Sequence, residues 1–133
     1  MSIVVASGKR KTAIARAIIK PGIGRVRINS IPLEVYEPKF VRMLISEPLL
    51  LLDEKTKKMY DIDVIVQGGG FMGQAQAIRT AIARGLIKIT NREDIKALYS
   101  AYDRSLIVSD PRQAEPKKPR GRSARAKRQK SYR

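Results

Sequence analysis

The residues that could do chemistry in this chain are concentrated in one glycine-rich segment, Gly68 to Gly73. It reads Gly-Gly-Gly-Phe-Met-Gly and satisfies the letter pattern G-x-G-x-x-G of dinucleotide-binding turns. Glu93 follows about twenty residues beyond it, where a ribose-binding acid could stand. The chain before residue 111 is too short for two mononucleotide-binding halves, so we interpret Glu93 as charge in the first turn of a helix.

The same segment has the glycine spacing of a phosphate-binding P-loop. Gln74 and Ala75, however, occupy the places where Lys and Ser or Thr must contact phosphate and magnesium. Two interpretations remain open. The exposed N–H groups of a glycine-rich helix start suit a phosphate, including one in a nucleic-acid backbone. Alternatively, the glycines form a tight turn where a helix approaches a sheet closely.

Most catalytic chemistry is excluded by composition, since the chain has no cysteine and no histidine. Thiol nucleophiles, imidazole acid–base catalysis and Cys or His metal sites are therefore absent. Asp61 and Asp63 stand two apart on one strand face, and we predict surface ion pairs for them rather than catalysis. The sequence therefore predicts a protein that is not an enzyme and uses no cofactor or metal.

The strongest signal is charge. The chain has a formal net charge of +16, and its last 23 residues, 111–133, contain ten basic residues and one acidic one. Such a segment has too little apolar surface to order itself, and its like charges repel. A dense array of negative charge is its natural partner, and six arginines against four lysines favour structured RNA. We predict a globular domain over 1–110 and an extended basic tail over 111–133.

No targeting or membrane segment is expected. The apolar start at Ile3 is short and lacks a basic region before it, and the longest aliphatic run, Leu49 to Leu52, is far below the ~20 residues of a membrane helix. The sequence therefore predicts a cytoplasmic protein without a membrane partner.

Alternating residues predict the strands that position these groups. After a basic loop at Gly8–Lys11, the segment Thr12–Lys20 has one small apolar face, and Arg25–Ile28 alternates as well. We predict an antiparallel hairpin from these two segments. Its inward residues are Ala13, Ala15, Ala17, Val26 and Ile28, and its exposed cations are Arg16, Lys20, Arg25 and Arg27.

Further elements follow from periodicity. We predict a helix that begins near Pro38 and ends at Pro48, a polar loop over Asp53–Lys58, and a strand over Asp61–Gln67. A helix over Met72–Leu86 has its apolar stripe at Ala75, Ile78, Ile82 and Leu86, while Arg79, Arg84 and Lys88 are expected to be solvated. Asn91 is predicted to cap a further helix, and Leu106–Val108 to form a final strand. The fold class is α+β, with a four-stranded sheet and helices packed against it.

Several of these segments resemble one known family. They are Ser7–Arg16, the stretch Gly68 to Leu86, Asp110-Pro111-Arg112, Lys117-Lys118, and the ending Gln129–Arg133. On these residues the chain resembles the small-subunit ribosomal protein nine family, in its archaeal and eukaryotic branch, over nearly its whole length. The central block and the ending are the specific parts.

The resemblance implies a structural protein of the small-subunit head, with a left-handed βαβ crossover in place of the usual right-handed one. It implies ribosomal RNA and neighbouring head proteins as partners, and a tail whose tip (Lys130, Ser131, Tyr132 and Arg133) approaches peptidyl-site transfer RNA. Arg128 departs from the Tyr usual in eukaryotic members. The predicted ribosomal RNA contacts are Lys9, Arg10, Lys11, Arg16, Arg25, Arg27, Gly69, Gly70, Gly73, Gln74, Arg79, Arg84, Arg112, Lys117, Lys118, Arg120, Arg122, Arg125, Lys127 and Arg128.

Two other function classes fit parts of the sequence. A free regulatory or chaperone-like RNA-binding protein would use the same basic surfaces, and a nucleotide-dependent enzyme would use the glycine-rich turn. Stoichiometric presence on small subunits separates the first from a ribosomal protein. Absence of saturable NAD or ATP binding removes the second.

Overall fold

The computed structural model of the chain describes residues 3–119, 122, 124 and 125. They form one five-stranded sheet of order β1-β2-β5-β3-β4, with helices packed against it. This confirms the predicted α+β class but gives five strands where four were expected. The strands are β1 (Val4–Arg10), β2 (Ala13–Pro21), β3 (Val26–Ile28), β4 (Ile31–Pro32) and β5 (Tyr60–Gln67), and the helices are α1 (Lys39–Leu50), α2 (Glu54–Lys57), α3 (Phe71–Thr90) and α4 (Glu93–Tyr102).

The predicted basic loop at Gly8–Lys11 is wrong, because Gly8, Lys9 and Arg10 belong to β1. This strand pairs antiparallel with β2, and the chain reverses at Lys11 and Thr12. Ala6 and Gly8 are buried beneath α3, whereas Val5 and Lys9 are exposed. The alternation of buried and exposed residues in β1 is weak in the sequence, because its buried residues are too small to be recognised as core residues.

The predicted hairpin between the next two strands is also wrong. β5 lies between them, since it pairs antiparallel with β2 and parallel with β3. The predicted faces are nevertheless right: the three alanines of β2 and Ile28 are fully buried, and Val26 packs against the core. Register is set by face burial, so the inward residues can be predicted even where the strand partner is not.

Asp61 fixes the chain where it passes from β2 to β3. Its Oδ1 accepts hydrogen bonds from the backbone N–H groups of Ile23, Gly24 and Arg25, each at 3.0 Å. These bonds, led by that of Arg25, lower the pKa of the Asp61 carboxyl. Asp61 therefore holds backbone amides, in place of the predicted arginine side chains.

The connection between the parallel strands β3 and β5 contains β4, α1 and α2. It is the crossover that the family resemblance implies, and its left-handedness stays a prediction. α1 begins after Pro38 as predicted, but it continues through Pro48 to Leu50. The expected polar loop after it contains the single-turn helix α2, where Thr56 Oγ1 donates to Asp53 Oδ1 at 2.6 Å.

Helix α3 is the centre of the core and lies against β1 and β2. Its predicted stripe, Ala75, Ile78, Ile82 and Leu86, is fully buried. The helix extends to Thr90 because Asn91 adopts a left-handed conformation (φ 53°) and ends it. Asn91 was predicted to begin the next helix; asparagine tolerates this conformation at a helix C-terminus as well as it caps an N-terminus.

The last elements pack beneath α1 and α3. In α4 the predicted apolar residues Ile95 and Tyr99 are buried, whereas Leu98 and Tyr102 are exposed. The Tyr99 hydroxyl donates to the Pro48 carbonyl at 2.7 Å, and burial raises its pKa. The predicted strand at Leu106–Val108 is wrong, because Arg104–Leu106 forms a 3-10 turn that buries Leu106. None of the helices in the described ranges is long and apolar enough to cross a membrane.

Arg79 is an internal residue of α3, and its predicted solvation is wrong. It is 8% exposed, and its guanidinium pairs with Glu47 of α1. Nη2 also donates to Asp103 Oδ2 at 3.1 Å and to Ser105 Oγ at 2.6 Å. Arg79 thus ties α1 and the chain after α4 to the same point on α3.

Arg84 makes a similar connection one turn further along α3, contrary to the predicted solvation. Nε donates to the Ile107 carbonyl at 2.7 Å, Nη1 to the Ser7 carbonyl at 3.1 Å, and Nη2 to Ser109 Oγ at 3.1 Å. All three nitrogens are used within the protein. Arg84 therefore fastens the segment before the tail to β1.

We predict that Arg79→Met lowers the free energy of unfolding by about 2–4 kcal/mol, because it leaves two carboxylates without their partner. Arg92→Met is the matched control. Arg92 pairs with Asp94 on the surface, where the side chains are 47% and 65% exposed, and a surface pair contributes about 1 kcal/mol at most. Urea unfolding of both variants measures the difference; equal losses would contradict an internal role for Arg79.

The glycine-rich turn generates a second prediction. Gly68 has φ +80°, and a Cβ there would lie 2.6 Å from the Thr12 carbonyl oxygen, whereas a Cβ at Gly70 meets no atom within 4 Å. Gly68→Ala should therefore cost at least about 1–2 kcal/mol of stability, and Gly70→Ala should stay within about 0.5 kcal/mol of the parent. Thermal unfolding compares the two, and an equal effect at both positions would refute the assigned backbone constraint.

Candidate nucleic-acid interface

The sheet has one face covered by helices and one open face that carries cations. Arg16, Lys20 and Arg27 lie on this open face, with Arg25 at its end, and all four side chains reach solvent. Asp63 pairs with Arg27 at 2.9 Å and lies 3.9 Å from Lys20. In the described part of the chain, Arg16 and Arg25 take part in no side-chain ion pair. Asp63 therefore pairs with two of the four cations. With Asp61 near Arg25, the face has two carboxylates against four cations and keeps a positive surplus.

The turn between β1 and β2 extends this basic surface at one end. Lys9 and Lys11 are exposed, and neither forms an ion pair with another described residue. Lys11 has φ 54°, so the turn holds it in the left-handed region. Two exposed lysines therefore lie at this end, Lys9 near the end of β1 and Lys11 in the two-residue turn.

Arg10 differs from its neighbours because its guanidinium faces inward. It pairs with Asp110, with its side chain 15% exposed. Asp110 also accepts from the backbone N–H of Arg112 at 2.9 Å and from Arg112 Nη2 at 2.7 Å. One carboxylate therefore joins β1 to the start of the tail.

Hydrogen bonds from Arg112 are the main cause of a strongly lowered pKa at Asp110, and the charge of Arg10 adds to it. A lowered carboxyl pKa stabilises the folded state above the ordinary value near 4 and loses that contribution as the pH falls below it. Asp110 is therefore ionised at neutral pH, where it pairs with Arg10 and Arg112.

A cleft of about 320 Å³ separates this anchor from α3. Both charge types line it, with Lys9, Arg10, Arg79 and Arg112 as the cations and Asp103 and Asp110 as the carboxylates. Its arginines are those already paired with carboxylates. The cleft is therefore a region of internal ion pairing rather than an open cationic groove, and no group of three or more acidic residues in the described ranges could hold a metal ion.

The predicted contacts of the glycine-rich turn fall into two groups, those that form the turn and those with open space around them. Gly68 and Gly69 have positive φ and lie against Thr12 and Ala13, so they serve the turn itself. Gln74 also serves it, because Nε2 donates to the Gly68 carbonyl at 3.0 Å. Gly70 and Gly73 have room around them, and Gly70 is exposed just before the first turn of α3.

The tail residues that the structure describes lie in no helix or strand. Lys117, Lys118, Arg122 and Arg125 are exposed, and Arg125 pairs with Glu115 at 2.6 Å. The predicted contacts that lie outside the described residues are Arg120, Lys127, Arg128, Lys130, Ser131, Tyr132 and Arg133.

The sequence analysis did not identify the acidic residues that pair with the internal arginines. Glu47 and Asp103 hold Arg79, and Asp110 holds Arg10, yet these partners are far apart in the chain. One signal was available for Arg79, because it follows Ile78 directly and precedes Ile82 by three on a buried helix. A charge so close to an apolar stripe indicates an internal partner.

Comparison with known proteins identifies the family. The family model for ribosomal protein S9/S16 matches residues 8–133. Similar proteins include the small ribosomal subunit protein uS9 of Pyrobaculum aerophilum, 55% identical over 98% of this chain and 92% of that protein. The uS9 proteins of Desulfurococcus amylolyticus (55%; 100% of this chain, 94% of that protein) and Methanothrix thermoacetophila (54%; 100% of both) are equally similar. With a matched model over nearly its whole length and such relatives among the archaea, the chain belongs to the ribosomal protein S9/S16 family, as its sequence predicts.

Proposed function

We propose that this ribosomal protein binds the RNA of the small-subunit head through the open sheet face, the β1–β2 turn and the basic tail. Members of its family have a structural role in the small ribosomal subunit and are not enzymes. The protein therefore works in the cytoplasm, on that subunit, with ribosomal RNA and other ribosomal proteins as its partners.

The observation that carries the proposal is the surplus of exposed cations on one side of the domain. Lys9, Lys11, Arg16 and Arg25 form no side-chain ion pair with an acidic residue in the described ranges, while Lys20 and Arg27 share Asp63. A solvated cation bound to no carboxylate can neutralise a phosphate and release its counterion. These six residues and the tail form the proposed RNA-binding surface.

Five predicted contacts are better explained by the fold and are left out of this surface. Arg10, Arg79 and Arg84 already donate to carboxylates, carbonyls or hydroxyls of the protein. Gly69 forms part of the glycine-rich turn, and Gln74 donates a hydrogen bond to it. Moving any of these arginines to a phosphate would leave a partly buried acceptor without its donor, which costs free energy. Gly70 and Gly73 remain part of the proposal as points where the RNA backbone approaches the protein closely, since the turn itself does not need them.

The regulatory alternative predicts a protein that leaves the ribosome. Near-stoichiometric presence on small subunits after a high-salt wash is the result we expect. Recovery in the ribosome-free fraction would favour the alternative.

The proposed surface is tested by the salt dependence of RNA binding. Each phosphate neutralised contributes about 0.7–0.9 to the slope of log K against log salt concentration, so Arg16→Gln with Arg25→Gln should reduce that slope by about 1–2. A chain ending at Asp110 should lose several units of slope and still unfold cooperatively. Lys39→Gln is the control, since Lys39 is an exposed cation at the start of α1, and its slope loss should be small. Equal losses at Lys39 and the sheet-face pair would refute the surface.

The finer part of the proposal concerns the tail tip, and it rests on the family resemblance. We expect removal of Ser131, Tyr132 and Arg133 to leave subunit assembly intact, because nine of the ten basic residues of 111–133 remain. The loss should appear as several-fold weaker binding of peptidyl-site transfer RNA. A charge-assisted hydrogen bond is worth roughly 1.5–3 kcal/mol before the cost of ordering the tail.

Purified small subunits carrying the shortened chain are assayed for transfer RNA affinity at matched salt. Lys117→Gln provides the control, since it removes one tail charge far from the tip. If the shortened chain keeps full affinity, the tip belongs wholly to ribosomal RNA.

A further inference from the structure

A second surface runs along β1 and shares none of the six lysines and arginines of the proposed RNA-binding surface. It is a groove of about 410 Å³ along β1, with the carboxyl-terminal part of α3 as its wall. Its apolar residues are Val5 and Ala6 of β1, Ile87 of α3 and Ile107. Its charged residues are Arg84, Lys88 and Lys96, so no carboxylate lines it.

The strand beside this groove is an edge of the sheet. Among the described residues, β1 pairs with β2 alone, and alternate backbone N–H and C=O groups therefore face outward. Arg84 Nη1 reaches one of them, the carbonyl of Ser7, at 3.1 Å. Ile3 and Val5 on the same strand are 64% and 49% exposed. An extended edge with apolar side chains and without proline is a template for another strand.

The charges of the groove restrict what that strand can be. Lys88 and Lys96 are exposed and form no ion pair within the described ranges, whereas Arg84 is already bound. An occupant with carboxylates would form ion pairs with these two lysines. The tail of this chain is too basic to do so, and a second copy would bring another net charge of +16.

RNA fits the groove less well than protein does. No aromatic residue lines it, so an unstacked base has no ring to stack on. Its floor of valine, alanine and isoleucine suits aliphatic side chains, and the free strand edge suits a peptide backbone.

We propose that an extended acidic segment of another small-subunit protein adds to β1 as a sixth strand. Its backbone pairs with the free edge, its alternate apolar side chains enter the groove, and its carboxylates meet Lys88 and Lys96. This inference rests on the proposed function, because it takes the partner from the same ribosomal subunit.

Photo-crosslinking in assembled small subunits tests the proposal. One version of the full-length chain carries a benzophenone amino acid at Val5. As a control, a second version carries it at Val35, which is 62% exposed and follows β4, at the edge of the sheet opposite β1. Subunits are purified through a high-salt wash, irradiated, and the crosslinked peptide is sequenced by mass spectrometry. We expect Val5 to crosslink to an acidic segment of one ribosomal protein, and Val35 not to crosslink to that segment.

A charge reversal tests whether Lys88 and Lys96 bind the acidic segment. Lys88→Glu with Lys96→Glu should reduce the Val5 crosslink at least tenfold, while Lys55→Glu on α2 should leave it unchanged. A Val5 crosslink to ribosomal RNA, to a basic segment, or to nothing would overturn the proposal. Incorporation of the chain into the washed subunits is scored separately, so a failure of the edge-strand partner is distinguishable from a failure of the ribosomal role.

Discussion

The close approach of α3 to β1 and β2 is the constraint on which the rest of the structure depends. Gly8 lies so near the helix that a Cβ there would overlap the Ala77 carbonyl, and a Cβ at Gly85 would overlap Ile19. The buried alanines of β2 complete this thin interface. Because the helix axis is so close to the sheet, arginines flanking its buried stripe can reach β1 and the segment after α4 with their side chains.

That geometry divides the arginines of a strongly basic chain into two groups. Arg79 and Arg84 on α3, with Arg10 on β1, are used inside the protein to fasten α1 and the approach to the tail. Arg16 and Arg25 face solvent from the other side of the sheet. The first group fixes where the tail leaves the domain, and the second offers charge to a partner. Net charge alone does not distinguish them, since each arginine adds one positive charge wherever it lies.

Local pattern predicted which residues face the core but not which strands are neighbours. The inward sets of β2, β5 and α3 follow from periods of two and 3.6 residues. The strand order depends on contacts between distant segments, such as the three amide hydrogen bonds by which Asp61 of β5 holds the loop between β2 and β3. The alternation of β1 is weak in the sequence because its buried residues include the small Ala6 and Gly8. The same limit holds for the interface: exposed cations on the open face were predictable, whereas the inward turn of Arg79 depended on Glu47 and Asp103, distant in sequence.

The division of arginines is tested most directly by cryo-electron microscopy of the small subunit that contains this chain. We predict that Arg16 and Lys11 lie within hydrogen-bond distance, about 3 Å, of ribosomal RNA phosphates. We also predict that Arg79 keeps its pairing with Glu47 and Asp103 in the same map. A map with Arg79 on a phosphate and the open sheet face turned to solvent would contradict this division of arginines.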